Sequence, residues 1–312
     1  MTKVFIDGRS GTTGLRIYER LAERKDIELI SLSEELRKDP AAKKEAFAAA
    51  DIAFFCLPDA AAIEAAQLAG EDTAVIDTST AHRTNDAWAY GFPELKGFRE
   101  KIASSKRVAN PGCHASGFIS LVAPLVQEGL LGKDAALTCF SVTGYSGGGK
   151  KMIADYEAES RIQLAEEGAL DLLDSPKQYG LTQKHKHLPE MQKVCGLSTA
   201  PVFCPIVSDF YSGMTVTVPV FAKDLKGRLS DVEELYKSYY TGKLVRYEPC
   251  PEGGVFGNAL AGRDDMIVTV SGNEERILLI SCFDNLGKGA SGAAIQNMNI
   301  LLGLPEETGL IL

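Results

Sequence analysis

The chain is poor in several residues whose abundance marks large classes of protein. Histidine occurs only four times in 312 residues, at positions 82, 114, 185 and 187, so each imidazole can be weighed singly as a base or a ligand. The seven cysteines (56, 113, 139, 195, 204, 250 and 282) are odd in number and widely spaced, with no C-x-x-C pair. That pattern argues against a disulfide framework and against structural zinc, so no metal is expected. Positive charge is in deficit, with 33 Lys and Arg against 42 Asp and Glu and a formal charge of −9. Nucleic acid and anionic membrane surfaces are therefore not expected as partners, because their nonspecific binding rests on clustered Lys and Arg. No apolar run approaches the ~20 residues of a membrane span. Met1 to Ile6 enters a strand pattern at once, which leaves no room for a signal peptide and makes the cytoplasm the expected location.

What is present suits an enzyme of ordinary size. The chain is 45% hydrophobic and 24% charged, enough for an extensive core divided between two domains. Apolar runs at Val4 to Ile6, Ile27 to Leu32, Ile52 to Leu57, Ala74 to Ile76 and Val108-Ala109 alternate with helical patterns. This rhythm predicts a parallel sheet with crossover helices. Beyond Gly112 the runs lengthen, at Ala136 to Val142, Val202 to Val207, Met214 to Phe221, Met266 to Val270 and Ile277 to Cys282. Their alternation predicts an antiparallel or mixed second sheet. Helices are expected at Asp155 to Glu167 and Ser230 to Tyr240, and a last helix from Ala290 to Leu302 returning to the first domain. The expected division is 1–112 with 290–312, and 113–289.

Gly8-Arg9-Ser10-Gly11-Thr12-Thr13-Gly14 follows the first strand and opens an amphipathic helix. Small residues there let backbone amides approach a phosphate, the helix start adds dipole attraction, and Ser10, Thr12 and Thr13 add hydroxyl donors. The spacing is G-x-x-G-x-x-G rather than G-x-G-x-x-G, and its place between strand and helix makes it a candidate dinucleotide loop. The second strand ends Ile30-Ser31-Leu32-Ser33, with no acidic residue where Asp or Glu usually bonds a ribose 2′-hydroxyl, although Glu34 and Glu35 follow directly. Arg37 and Lys38 follow closely and are placed to meet a 2′-phosphate, which favours NADP over NAD, although a charge run is more often a solvated loop.

Cys113 stands in Asn110-Pro111-Gly112-Cys113-His114, where an apolar strand gives way to a helix-compatible run. Partial positive charge at a helix start favours the thiolate and makes the sulfur nucleophilic. A bare cysteine is more often a small buried hydrophobe, the reading given to Cys56, Cys139 and Cys282. A nucleophile needs a base. The segment His185-Lys186-His187-Leu188-Pro189-Glu190 offers two imidazoles and a carboxylate to orient one of them. His114 adjoins Cys113, but neighbours at a helix start are expected to point apart. Arg83 is a candidate for an anionic substrate group. Ser141 to Lys150 and Gly287 to Gly292 are further glycine-rich segments, the first expected to be a flexible, donor-rich loop.

Taken in order, Gly11-x-x-Gly14, Asp77-Thr78-Ser79, Tyr90-Gly91-Phe92-Pro93-Glu94-Leu95, Asn110-Pro111-Gly112-Cys113, His185 to Glu190 and Asp284-Asn285-Leu286-Gly287-Lys288-Gly289-Ala290-Ser291-Gly292 resemble the N-acetyl-gamma-glutamyl-phosphate reductase family, in its shorter subtype, over nearly the whole chain. The resemblance implies a Rossmann NADP-binding domain joined to a semialdehyde-dehydrogenase-type α+β domain, in a homo-oligomer that is a tetramer or dimer. It also implies NADPH-dependent reduction of N-acetyl-L-glutamyl 5-phosphate to N-acetyl-L-glutamate 5-semialdehyde with release of inorganic phosphate, a step of arginine biosynthesis. On this reading Cys113 forms a thioester, His187 is the acid/base with His185 as the alternative, and Glu190 orients the base. Gly8, Ser10, Gly11, Thr12, Thr13, Gly14, Ser33, Arg37, Ser79 and Asn285 would hold the cofactor. Arg83, Asn110, Ser146, Gly147 and His185 would meet the substrate, with Asn110 aiding an oxyanion. Many relatives carry an aromatic residue and an arginine where His114 and Lys186 stand here.

Three rivals are weighed against this reading. An aspartate-semialdehyde dehydrogenase would share the chemistry on a shorter substrate bearing a free amine. A cysteine hydrolase using Cys113 and His187 would leave the glycine loop unexplained. A non-catalytic NADP sensor would tolerate loss of Cys113.

Overall fold

The computed structural model describes residues 1–166, 168 and 171–312, and the chain divides into two compact units, 1–112 with 290–311 and 113–289 with Leu312. The first unit begins β1 (Thr2–Asp7), α1 (Thr12–Ala22), β2 (Ile27–Ile30), α2 (Pro40–Ala49), β3 (Ile52–Phe55), α3 (Asp59–Leu68) and β4 (Ala74–Asp77), and ends β5 (Ala89–Tyr90), α4 (Phe98–Ser104) and β6 (Arg107–Ala109). Its six strands run in the order β2-β1-β3-β4-β6-β5, all parallel. Period-two alternation sends Val4, Ile6, Phe54 and Ile76 to one face, with Ile17 and Leu21 of α1. Phe5, Ala53, Phe55 and Val75 go to the other, against Phe47 of α2 and Ala62 of α3. From β1 the chain crosses to β2 on one side and then to β3 on the other, so the loop after β1 lies at the point where the winding reverses.

The second unit contains α5 (Cys113–Gln127), β7 (Thr138–Gly144), α6 (Gly149–Tyr156), α7 (Glu159–Glu166), β8 (Lys177–Gln178), α8 (Leu188–Cys195), β9 (Val202–Ser208), β10 (Met214–Phe221), α9 (Leu229–Tyr239), β11 (Val245–Tyr247), β12 (Met266–Gly272) and β13 (Arg276–Phe283). The sheet order is β11-β12-β13-β10-β7-β9-β8, with β7–β9 and β11–β12 parallel and the other pairs antiparallel. It is the expected mixed sheet. One face carries Cys139, Ser141, Phe203, Met214, Val216, Val218 and Leu279, all buried. On the opposite face Phe140, Val202, Phe221 and Leu278 are exposed. From His114 to Val126 every residue of α5 is buried, which is why the segment is apolar all round. After β13 a π-helical turn (Gly287–Ser291) leads into α10 (Gly292–Leu301), whose Ile295 and Met298 join the core of the first unit.

Three expectations need correction. The helix expected over Asp155 to Glu167 is two helices, α6 and α7, with Glu167 itself outside the described residues. The break follows from Arg161, whose Nη1 donates to the carbonyl of Tyr156 at 2.5 Å while its other nitrogens engage Asp171, Asp174 and Asp209. That carbonyl is thereby taken out of the helical ladder. The segment expected as a loop at Ser146 to Lys150 takes regular structure, a 3-10 turn (Tyr145–Gly148) running into α6. Strands β5, β8 and β11 span two or three residues, too short to show a period, and the sequence did not announce them.

Candidate active site

Cys113 is the first residue of α5 and is half-buried, so its sulfur sits where the N–H groups of a helical first turn concentrate partial positive charge. The close packing around it depends on Gly289. A Cβ at that position would stand 3.0 Å from the Cβ of Cys113 and 3.1 Å from the carbonyl oxygen of Asp284. The π-helical turn thus lies against the base of the nucleophile, a role the glycine-rich sequence alone did not assign.

His114 is buried and turns its ring toward the histidine segment. Its Nδ1 lies 2.7 Å from Ser141 Oγ and its Nε2 lies 2.8 Å from Tyr179 Oη. Its ring centroid is 5.5 Å from that of His185 and 5.6 Å from that of His187. Ser141 on β7 and Tyr179 after β8 supply partners that draw the imidazole into the second unit's interior. Burial, reinforced by His185, pushes the His114 pKa down to about 3, so this ring is neutral at physiological pH. Tyr179 is raised above the ordinary phenol range by burial and by nearby Cys113, and stays a neutral hydroxyl. Tyr179 and Ser141 carry no motif, which is why the sequence did not mark them.

His185 and His187 stand edge to face, 4.7 Å between centroids, at the entry to α8. The backbone N–H of His187 donates to His185 Nδ1 at 3.2 Å, which fixes the neutral His185 as the tautomer protonated on Nε2. Buried Glu190, three residues on and facing the same side of the helix, brings Oε1 to 4.0 Å from His187 Nε2. Phe203 of β9 packs its ring on both His114 and His185, at 5.2 and 5.0 Å. The structure thus gathers Cys113, His114, Tyr179, His185, His187 and Glu190 within one unit.

Other candidates are engaged elsewhere. Asn285 accepts from the Gly213 N–H at 2.8 Å and donates to Ser146 Oγ at 3.1 Å, so both ends of its amide are used in bracing the second unit. Gly147 is exposed beside it. The buried Asp284 accepts from the N–H groups of Leu286, Gly287 and Gly262 and from Ser212 Oγ, anchoring the start of the π-helical turn. A cavity of about 670 Å³ opens between Leu131 to Thr138, Pro219 to Phe221 and Arg276 to Leu278, with neither imidazole nor thiol in its lining.

In the first unit, Gly8 has φ of +88°, and a Cβ there would collide with the carbonyl of Cys56. A Cβ on Gly14 would lie 2.5 Å from the Gly8 carbonyl oxygen. Gly11 is the N-cap of α1 and no side chain caps the first turn. Gly8 and Gly14 thus allow close backbone packing of the loop, and the amides at the start of α1, beside Ser10, Gly11, Thr12 and Thr13 and uncapped by any side chain, fit the phosphates of a dinucleotide. Ser33 Oγ donates to Glu35, and Arg37 pairs with Glu34 at 3.0 Å on the exposed turn after β2. Ser79 donates to Asp77 through both N–H and Oγ, and His82 Nδ1 meets the same carboxylate at 2.6 Å. Arg83 spends Nε on the Asn110 carbonyl and Nη2 on that of Thr78. Asn110 donates from Nδ2 to the Ala290 carbonyl at 3.0 Å and accepts at Oδ1 from Asn297 at 3.1 Å. Its amide ties the strand before Cys113 to the segment entering α10.

Among the described residues no helix is long and apolar enough to cross a membrane. The family model described as "Semialdehyde dehydrogenase, NAD binding domain" matches residues 3–105, and "Semialdehyde dehydrogenase, dimerisation domain" matches 113–285. Relatives include "N-acetyl-gamma-glutamyl-phosphate reductase 2" of Nostoc sp., 44% identical over 99% of this chain and 99% of its own. The N-acetyl-gamma-glutamyl-phosphate reductase of Brucella ovis is 46% identical over 96% of this chain and 99% of its own. Solved structures of the same fold include aspartate semialdehyde dehydrogenase II of Vibrio cholerae complexed with ASA, with TM-score 0.72, 16% identity, and coverage of 97% of this chain and 98% of that one. The aspartate semialdehyde dehydrogenase of Candida albicans with NADP gives 0.67 and 15%, covering 97% and 98%. With both units matched by the two semialdehyde dehydrogenase models and relatives nearly half identical from end to end, the chain belongs to the N-acetyl-gamma-glutamyl-phosphate reductase family.

Proposed function

We propose that this protein reduces N-acetyl-L-glutamyl 5-phosphate to N-acetyl-L-glutamate 5-semialdehyde and phosphate, a step of arginine biosynthesis. The observation that carries the reading is the nucleophile itself: Cys113 opens a buried helix in a unit that also gathers His185, His187 and Glu190. The thiolate of Cys113 attacks the acyl carbon, the bond to the phosphate oxygen breaks, and a thioester remains. The N–H groups of the first turn of α5 receive the developing oxyanion. NADPH, when bound, supplies the hydride that reduces the thioester carbon. Hydride arrival leaves an oxyanion on that carbon, which takes a proton from the His187 imidazolium to give the thiohemiacetal; on collapse His187 takes the same proton back as the carbon–sulfur bond breaks and the thiolate departs. Glu190 stabilises the imidazolium formed, and His185 offers Nε2–H as a donor to the substrate. His114, neutral and held at both nitrogens, is assigned no proton transfer.

The unit formed by 1–112 with α10 is assigned to the cofactor, through Gly8, Ser10, Gly11, Thr12, Thr13 and Gly14, with Ser33 and Arg37 toward a 2′-phosphate. The unit 113–289 is assigned to catalysis and self-association. Its open sheet face, with Val202 55% and Phe221 56% exposed, supports a homo-oligomer built on that face. The seven free cysteines accord with work in the reducing cytoplasm.

The reverse reaction tests the assignment. Purified protein with NADP and phosphate is given N-acetylglutamate semialdehyde or aspartate semialdehyde, and formation of reduced nicotinamide is followed by absorbance. Phosphate-dependent turnover of the acetylated aldehyde alone is expected. Turnover of aspartate semialdehyde alone would replace the substrate, and none with either would overturn the reductase reading.

A further inference from the structure

The histidine-bearing segment after β8 is held by a side chain that no motif includes. Strand β9 is paired on one side by β7 along its whole length, but on the other by only the two residues of β8, Lys177 opposite Val207 and Gln178 opposite Ile206. One further bond, from the Tyr179 N–H to the Pro205 carbonyl at 3.1 Å, extends that pairing before the chain turns away at Gly180. At Phe203 the backbone edge is met instead by an amide side chain. Gln183 Nε2 donates to the Phe203 carbonyl at 2.7 Å, and Gln183 Oε1 accepts from the Phe203 N–H at 2.9 Å. The carboxamide reproduces the donor and acceptor of a peptide unit, so it takes the place of one residue of a missing strand.

Gln183 also has φ of +55°, and is the single non-glycine residue among those described in the left-handed region. A backbone there costs free energy and persists where its surroundings impose it. The residue it grips is the one whose ring packs against both His114 and His185. Two residues later the chain presents His185, and two after that His187.

We propose that Gln183 is a positioning residue, whose two-point bond to Phe203 sets the placement of His185 and His187 for the chemistry at Cys113. This rests on the reading of those imidazoles as reaction groups, and the test separates the two. Gln183 is exposed, so its substitution spares the core.

The informative variant is Gln183→Glu. A neutral carboxylic acid restores the pair, with O–H donating to the Phe203 carbonyl and C=O accepting from its N–H. The carboxylate keeps the acceptor and sets a negative charge against the carbonyl. With only four histidines in the chain, their ring Cε1–H signals are resolved by NMR of histidine-labelled whole protein. In Gln183→Glu the signals of His114, His185 and His187 are expected to match wild type at acid pH and to depart from it as the new carboxyl ionises, while His82 follows wild type throughout. Gln183→Ala is expected to depart at every pH. At neutral pH kcat falls about tenfold in both variants with KM nearly unchanged, the size of effect that a small misplacement of reacting groups produces. Ring signals of both variants that overlay wild type across the pH range overturn the proposal, as does unchanged kcat. Absence of wild-type turnover counts against the reductase reading alone, since the NMR comparison still decides the role of Gln183.

Discussion

His114 is the residue whose burial has the clearest thermodynamic consequence. Its pKa is near 3 in the folded protein, against about 6.5 for an unperturbed imidazole. Between those values the unfolded chain binds a proton that the folded chain does not, so stability rises with pH across the window and is lost as pH falls from about 6.5 toward 3. Urea midpoints measured from pH 7 to pH 4 should therefore drop, and His114→Phe should flatten that slope; an unchanged slope contradicts the assignment. Legibility at this scale was uneven. Cys113, His187 and Glu190 stood out because their chemistry is scarce in the chain and falls in a recognisable order. Tyr179, Ser141 and Gln183 did not, since each acts through a partner distant in sequence.

At the scale of elements, α5 shows how a helix with an internal proline is kept intact. Pro124 has no N–H to give the carbonyl of Ser120, four residues back. Tyr240 Oη donates to that carbonyl at 2.6 Å, and Tyr236 Oη donates to the next one, on Leu121. Tyr240→Phe leaves a buried acceptor unmet and should cost about 1–3 kcal/mol, read as a lower urea midpoint at unchanged denaturant dependence. The glycine loop after β1 makes a different demand. Gly8→Ala places a Cβ against the Cys56 carbonyl at a positive φ, so the loop must deform. Titration of NADPH fluorescence should show affinity lower by about tenfold or more, with alkylation of Cys113 by iodoacetamide unchanged. The period-two and helical patterns gave both sheets and most helices, because alternation reports which face is buried. It failed where Arg161 took the Tyr156 carbonyl and split a helix, an event that depends on Asp171, Asp174 and Asp209 converging from other segments.

For the whole molecule, the sequence announced two sheets of different character. It was silent on which face of the second would remain open, since alternation alone does not say what covers each side. Phe140, Val202, Phe221 and Leu278 lie on that open face. A second copy of the chain seated there would bury them, and sedimentation of the purified protein should give a dimer or tetramer. Replacing both Phe140 and Leu278 with Glu should shift it toward monomer, whereas a wild-type protein that sediments as a monomer at micromolar concentration removes the proposed interface.

In the proposed mechanism Cys113 carries the acyl group covalently between release of phosphate and arrival of hydride. The most direct measurement is intact-protein mass spectrometry after mixing the enzyme with N-acetylglutamyl phosphate in the absence of NADPH. An added N-acetylglutamyl group is expected, mapped to the Cys113 peptide, absent in Cys113→Ala, and lost on addition of NADPH. Turnover of the same sample with no adduct on wild type, or an adduct that survives Cys113→Ala, would contradict the mechanism.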